Sequence, residues 1–590
     1  MLPPDPHSFS VPAEGVITHI RFRLRPDFTE RVLRVRAHYR LDRPVTGSLY
    51  LDTRHLQIAS IRHADSDLAW SLDREDPILG QRLHLTGLDG VQEFSVESTS
   101  SPTAAALQWL EPDQTAGGRH PFLYSQCQSC SARSLFPCQD TPSVRFTYEA
   151  EVETPPPLTS VMAAEGLGVR LEEGRPVHRF AMPQPIPSYL FAFAVGNLAF
   201  EAIGPRTGIY AEPETIQAAA WEFAENEDRL RSAEALFGPY LWERYDVLIM
   251  PPAFPYGGME NPRLTFLNSA YVQGDRGGTW LVAHELAHAW TGNLVTNATW
   301  EDFWLNEGAT TYAETRISEV TEGVAASDLR TAGRAQTVLR DVERLGSQSP
   351  MTRLRLPLAG KDPDEAYSNI PYFKGLLFFR QLERAAGRVR FDGFLKAYIE
   401  AFRFRSITSE AFLEFLEARL PGVGQVIDAR RWIYQPGLPE GAADVPSSLF
   451  EDVLSVEAAY RRGVLPSEQR VAAWTTAQQG VFLARLLPAV PASDCAYFDR
   501  LFRLAKTRDG ALLSRFYELA IRSAYREVLP RFELFFSSVG RYQFHEPVFR
   551  ALAQEPWSSA LARPLLDRWR HRHHPHTVAA IERILAEARV

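Results

Sequence analysis

The densest chemical signal in the 590-residue chain is His284-Glu285-Leu286-Ala287-His288, inside the apolar run Trp280 to Trp290. Apolar surroundings predict a buried helix. On a helix, residues four apart share one face about 6 Å along the axis, so two imidazoles can reach one ion. Glu285 then lies beside that ion, where a carboxylate can serve as a general base. A catalytic zinc needs a third protein ligand and one open position. Glu307 follows His288 after eighteen intervening residues, in Trp304-Leu305-Asn306-Glu307-Gly308, at the head of a segment that reads as a helix to Val320. One Zn2+ per chain is the expected cofactor, held by His284, His288 and Glu307. Two ordinary core histidines are the alternative reading, and the spacing of Glu307 speaks against it. Glu314, seven residues after Glu307 on the same face, is either a carboxylate that orients a ligand histidine or a solvated residue.

Upstream lies Tyr256-Gly257-Gly258-Met259-Glu260-Asn261-Pro262. Two glycines remove side chains where another backbone must come close. An exposed edge strand there would pair with a peptide main chain whatever its sequence. Glu260 would meet the peptide's α-ammonium group and limit entry, so that only the first peptide bond reaches the metal. A Gly-Gly hairpin with a solvated glutamate is the plainer alternative. The chemistry expected is therefore removal of single residues from the N-terminus of short peptides.

The elements that must position these groups follow from periodicity. Leu33, Val35, Ala37, Tyr39 and Leu41 alternate with Arg34, Arg36, His38 and Arg40, and Val144 to Glu153 repeats the pattern, so the first third is a sheet with one wet face. From about residue 200 the pattern is mixed, with an apolar strand at Val247 to Met250 and helices around 280 to 320. Pro436 to Pro446 is rich in Pro and Gly and is the best linker. Beyond it the chain reads as helical, with segments Ser493 to Lys506, N-capped by Ser493, and Gly510 to Val528. The expected class is α+β multidomain: a β-sheet domain over 1–200, a catalytic domain over 201–440 and a helical domain over 441–590.

Bulk properties narrow the partners. A net charge of -9 argues against a nucleic-acid binder, and no apolar run approaches the roughly 20 residues that span a bilayer. The N-terminal stretch beginning Met1-Leu2-Pro3 lacks the form of a secretory signal, and four cysteines do not make a disulfide framework. A cytoplasmic monomer acting on short peptides with a free N-terminus is expected. Cys127, Cys130, Cys138 and His120 have irregular spacing for a structural zinc site, so free or buried thiols are expected there. His571, His573, His574 and His576 read as a solvated turn before the last helix.

Gly-Gly-Met-Glu-Asn followed by His-Glu-x-x-His and the distant glutamate resembles the aminopeptidase N-type zinc peptidases, peptidase family M1. Ser125-Gln126-Cys127-Gln128, Pro137-Cys138-Gln139-Asp140, Thr291-Gly292-Asn293-Leu294 and Pro371-Tyr372-x-Lys374-Gly375 are similar to the branch containing leukotriene-A(4) hydrolase and aminopeptidase B. The resemblance covers essentially the whole chain. It implies a saddle-like β domain, a thermolysin-like catalytic domain and a C-terminal helical superhelix. It also implies that Tyr372 stabilises the tetrahedral intermediate and that Gln126, Gln128 and Tyr367 line the substrate site. Asp364 would sit near the pocket for the first side chain, favouring Arg or Lys. Arg541 would hold the carboxylate end of short substrates, although Gln543 stands where the branch has a lysine. Hydrolysis of a lipid epoxide, or a helical scaffold without activity, are the alternative functions.

Overall fold

The computed structural model describes residues 4–588; Met1 to Pro3, at the head of the N-terminal stretch, lie outside it. Strands Ile17–Asp27 and Val32–Leu41 pair antiparallel, and Arg145–Glu153 joins the first of them in parallel, within an eight-stranded sheet. Leu33, Val35, Ala37, Tyr39 and Leu41 are buried while Arg34, Arg36 and Arg40 face solvent, as period two requires. A smaller sheet contains Phe122–Ser125, buried at every position, which runs directly into Gln126 and Gln128. Behind that segment Arg133 is fully buried, donating to Asp140 at 2.9 Å and to the carbonyl of His7 at 2.7 Å. A buried guanidinium with its donors satisfied fixes the backbone that carries the glutamines.

The central region is built on a five-stranded sheet in which Tyr245–Met250 is central and wholly buried. Its outermost strand is the short Gly258–Met259, paired antiparallel with Leu264–Asn268. Four helices frame the site: α1 (Thr279–Ala287), α2 (Trp304–Thr321), α3 (Val324–Leu345) and α4 (Gly375–Ala386). The sequence reading started α2 at Glu307. It starts three residues earlier because Trp304 packs on Phe378, Phe379 and Phe412, and this contact stabilises an extra turn before the carboxylate.

Residues 436–446 are irregular between helices Ala429–Tyr434 and Ser448–Arg461. Beyond them helices Ser448–Arg461, Thr476–Arg485, Gly510–Arg522, Tyr542–Gln554 and Pro575–Glu587 each pack on the next, so the C-terminal region is all-helical. Two boundaries differ from expectation. The first helix of this pair is Ala492–Leu501 with Pro491 at its N-cap, which puts Ser493 inside the helix, and the second ends at Arg522. Leu504 is buried after a turn rather than on the helix, a placement that helical spacing alone cannot distinguish.

The histidine cluster is a clearer correction. His573 and His574 are buried, not solvated: His573 stacks on Phe536 at 4.1 Å, and His574 caps the last helix by accepting the His576 amide. With His545, whose Nε2–H donates to the Val539 carbonyl, they are neutral groups inside a helical core. Burial pushes His545 down to about 4 and His573 and His574 to about 3. All three native values lie below the unfolded value of about 6.5, so between pH 6.5 and 4 the unfolded chain binds more protons and stability falls with pH. Each group contributes up to about 1.4 kcal/mol per pH unit in that window. Urea midpoints measured from pH 7 to pH 4.5 are expected to drop steeply, and His573→Phe to reduce the slope by about one proton. An identical slope in that variant would show that this ring does not take part.

Candidate active site

His284 and Glu285 lie in the last turn of α1, and His288 is its C-cap residue, still in helical conformation. Glu307 occupies the first turn of α2. These elements pack so that His284 Nε2, His288 Nε2 and Glu307 Oε2 form a triangle with sides of 3.3, 3.4 and 3.6 Å. Bond lengths of about 2.0–2.1 Å at a tetrahedral zinc place ligand atoms roughly 3.3–3.4 Å apart, so the triangle has the size of one face of that tetrahedron.

The remaining ring atoms are committed elsewhere. His284 Nδ1 lies 3.3 Å from Glu314 Oε2, and a carboxylate can only accept, so Nδ1 carries the proton. His288 Nδ1 lies 3.2 Å from the hydroxyl of Thr310, which donates onward to the Thr291 carbonyl. Both Nε2 atoms therefore turn their lone pairs towards the same point. Glu307 Oε2 is buried without a hydrogen-bond donor among the described residues. Burial disfavours a charged His284, yet Glu307 and Glu314 outweigh it and lift the ring to about 10. Carboxylates that favour positive charge at this point suit a cation, and the donor set is one that zinc takes. Glu260, Glu285 and His288 also converge, which puts two further buried carboxylates beside the triangle.

Burial pushes Glu285 well above the usual carboxylate range, and Glu260, Glu307 and Glu314 add to this against the pull of His284. A Cβ at Gly258 would collide with the Glu285 carboxylate, which is why the edge strand must pass this point as glycine. Glu260 is buried next to it. Its carbonyl accepts from Asn293 Nδ2 at 2.7 Å and its Oε1 from Gln128 Nε2 at 3.0 Å. Burial, then Glu307, push Glu260 up to about 8, so a cation in front of it would be welcome. Gln126 is placed differently from Gln128: its Nε2 lies against Met259 Sδ at 3.2 Å and its Oε1 has no partner.

Tyr372 sits in a π-helical turn, Ile370–Lys374, that leads into α4, and its ring lies 6.3 Å from that of His284. Burial raises its hydroxyl far above the usual phenol, with Glu307 adding to the effect, so it remains a donor. The approach of this turn to α2 depends on two glycines. A Cβ on Gly308 would stand 2.8 Å from both the Gly375 Cα and the Pro371 carbonyl, so the two backbones touch where Glu307 and Tyr372 are carried.

Tyr256, Asp364 and Tyr367 are exposed to solvent. Ser129 joins the β domain to this group, donating to Asp364 Oδ1 at 2.8 Å and lying 3.4 Å from the Tyr367 hydroxyl. Burial and Asp362 raise Asp364 above its usual value. Arg541 approaches from the helical domain. Its guanidinium fills the space that a side chain at Gly257 would take and lies over Tyr271 at 5.0 Å and Phe544 at 4.7 Å. Its polar side-chain partner is Gln543, at 2.7 Å. Among the described residues it has no carboxylate partner, and burial lowers its pKa.

Residue types and spacing did not single out Ser129, Thr310 or the Gly308 and Gly375 pair, and gave no role to Asn293. Two glycines within helix-forming runs were the one visible signal, a costly choice unless a close approach requires it.

Comparison with known proteins settles the relationship. The chain matches the peptidase family M1 N-terminal domain over 18–190, the family M1 domain over 221–432 and the leukotriene A4 hydrolase C-terminal domain over 474–585. It is 37% identical to leukotriene A-4 hydrolase of Xenopus laevis, over 93% of either chain. The chain belongs to peptidase family M1. Other M1 relatives include leucine aminopeptidase 2 of Aspergillus niger, 33% identical over 99% of this chain and 98% of that one. The yeast LTA4 hydrolase structure in complex with bestatin superposes with a TM-score of 0.90 at 27% identity, over 99% of this chain and 97% of that one. As an M1 metallopeptidase the chain is a hydrolase, with the β-sheet, catalytic and helical arrangement of the M1 structures it matches. Among the described residues no helix is long and apolar enough to cross a membrane.

Proposed function

We propose that this chain is a zinc aminopeptidase that holds one ion on His284, His288 and Glu307 and removes N-terminal residues from short peptides. The observation that carries it is the convergence of the ligand triangle with two further buried carboxylates, Glu285 and Glu260, at the edge strand. Bound zinc supplies Lewis acidity and lowers the pKa of a water from about 15.7 towards 7. Glu285 takes the proton of the attacking water and returns it to the departing amine. Tyr372 donates its hydroxyl hydrogen to the oxygen that gains charge. Glu260, with Gln128 bridging to it, receives the α-ammonium group and sets the depth of entry. Gln126, Gly257, Gly258 and Tyr256 line the path of the substrate main chain.

Asp364 and Tyr367 would border the first side chain, and Asp364 favours Arg or Lys there. Arg541 meets the far carboxylate, with a single guanidinium because Gln543 replaces a second cation. We take the working units as 1–200, 201–440 and 441–590, and place the protein in the cytoplasm, in keeping with four unpaired cysteines. The relative named leukotriene A-4 hydrolase supports epoxide hydrolysis as a second reading.

The test is turnover of free and N-acetylated tripeptides, and of Arg and Leu anilides, by protein of measured zinc content. Free peptides should be cut from the N-terminus and acetylated ones spared; equal rates on both would remove the exopeptidase reading. Glu260→Ala should lose about 10- to 150-fold in kcat/KM on free-amine peptides, the worth of one charged hydrogen bond of about 1.5–3 kcal/mol. Asp364→Asn should lower the Arg to Leu rate ratio, and an unchanged ratio would take Asp364 out of the pocket.

A further inference from the structure

Three stretches of chain supply the chemistry: α1 carries His284 and Glu285, α2 carries Glu307, and the Ile370–Lys374 turn carries Tyr372. A side chain outside all three lies against each of them. Arg334, in the middle of α3, donates from Nη2 to Glu314 Oε2 at 2.8 Å. Its guanidinium lies 5.5 Å from the ring of Trp280 and 5.5 Å from that of Phe373. Glu314 stands on α2 and accepts the Nδ1–H of His284, Trp280 lies in the first turn of α1, and Phe373 directly follows Tyr372.

We propose that Arg334 is a positioning residue that sets the orientation of His284, through Glu314, and the placement of Tyr372, through Phe373. The inference rests on the reading of His284, His288 and Glu307 as a zinc site. An arginine suits the task because its planar head can give an edge to a carboxylate while its faces stack on aromatic rings. Glu314 is fully buried, so a counter-charge must hold it if it is to orient an imidazole. Arg330, one turn earlier, supports it less directly: its Nε stands 3.7 Å from Glu314 Oε1 and its head is shared with Glu322. Arg330 lies over Trp280 at 5.7 Å; the cation over Phe373 is Arg334.

Two variants separate the two actions. Arg334→Met removes both the charge and the stacking plane, whereas Arg334→Lys keeps a cation beside Glu314 and loses the plane. Zinc affinity is read by competition with a chromogenic chelator, and kcat and KM are read at saturating zinc. Arg334→Met should weaken zinc binding about 10- to 100-fold. At saturating zinc it should also lower kcat, with KM within about twofold of wild type. Arg334→Lys should recover most of the zinc affinity and little of the kcat. Arg388→Met, which removes ion pairs to Glu319 at the C-terminal end of α2 and to Glu383 on α4, controls for loss of helix stability and should keep both quantities. If wild type holds zinc and Arg334→Met holds it as tightly, the inference is wrong. Should Arg334→Met not fold, an unchanged kcat in Arg334→Lys overturns it instead. A wild-type protein that holds no zinc would overturn the site assignment itself, which is a separate result.

Discussion

Glu285→Gln is expected to give a folded protein that keeps its zinc and loses about 10² to 10⁴ in kcat. The amide matches the carboxylate in shape, so it can take the same place against Gly258, where a side chain would leave no room. It cannot take a proton from water or pass one to the leaving amine. The loss should therefore appear in kcat, with peptide affinity preserved by Glu260 and Gln128. The variant should also become insensitive to pH in the limb governed by the base. Full turnover by a zinc-loaded Glu285→Gln would mean that another group carries the proton, and Glu260 is a buried carboxylate in the same cluster.

Tyr372→Phe is the second large effect, about 10² to 10³ in kcat, the usual cost of one missing oxyanion donor. Its hydroxyl stays protonated because burial and Glu307 both oppose the phenolate. Removing it leaves the ring, and so leaves the packing on Phe303 at 6.0 Å and the proximity to His284. Stability and zinc content should hold while kcat falls and KM stays near its wild-type value. A rise in KM with unchanged kcat would instead make Tyr372 a group that binds the ground state.

The meeting of His284, His288 and Glu307 was legible in the sequence because the spacing is local: four residues along one helix, then one carboxylate on the next. Gly257, Gly258 and Glu260 were legible for the same reason. The β domain could be read from Leu33 to Leu41, where one face is wet and the other dry. Ser129, Thr310 and Arg334 were not, because each acts through a partner at least nineteen positions away, and nothing in its own neighbourhood signals that partner. His573 and His574 misled for a related reason. Four histidines with Arg570 and Arg572 look solvated by composition, and only the packing of Phe536 and the cap on the last helix take two of them out of water. The π-helical turn under Tyr372 was equally hidden, since Pro371 and Gly375 suggest an interruption without saying which kind.

The meeting of Gly308 with Gly375 bears on how such an enzyme could diversify. Because main chain rests on main chain there, the spacing of the backbones that carry Glu307 and Tyr372 is a constant of the scaffold, indifferent to which rotamers the surrounding side chains choose. New substrate ranges would have to arise in the walls, at Ser129, Asp364 or Gln543, while the reacting centre keeps its dimensions. Gly308→Ala, a change of one methyl group at some distance from any peptide side chain, would on this view damage turnover of every substrate alike.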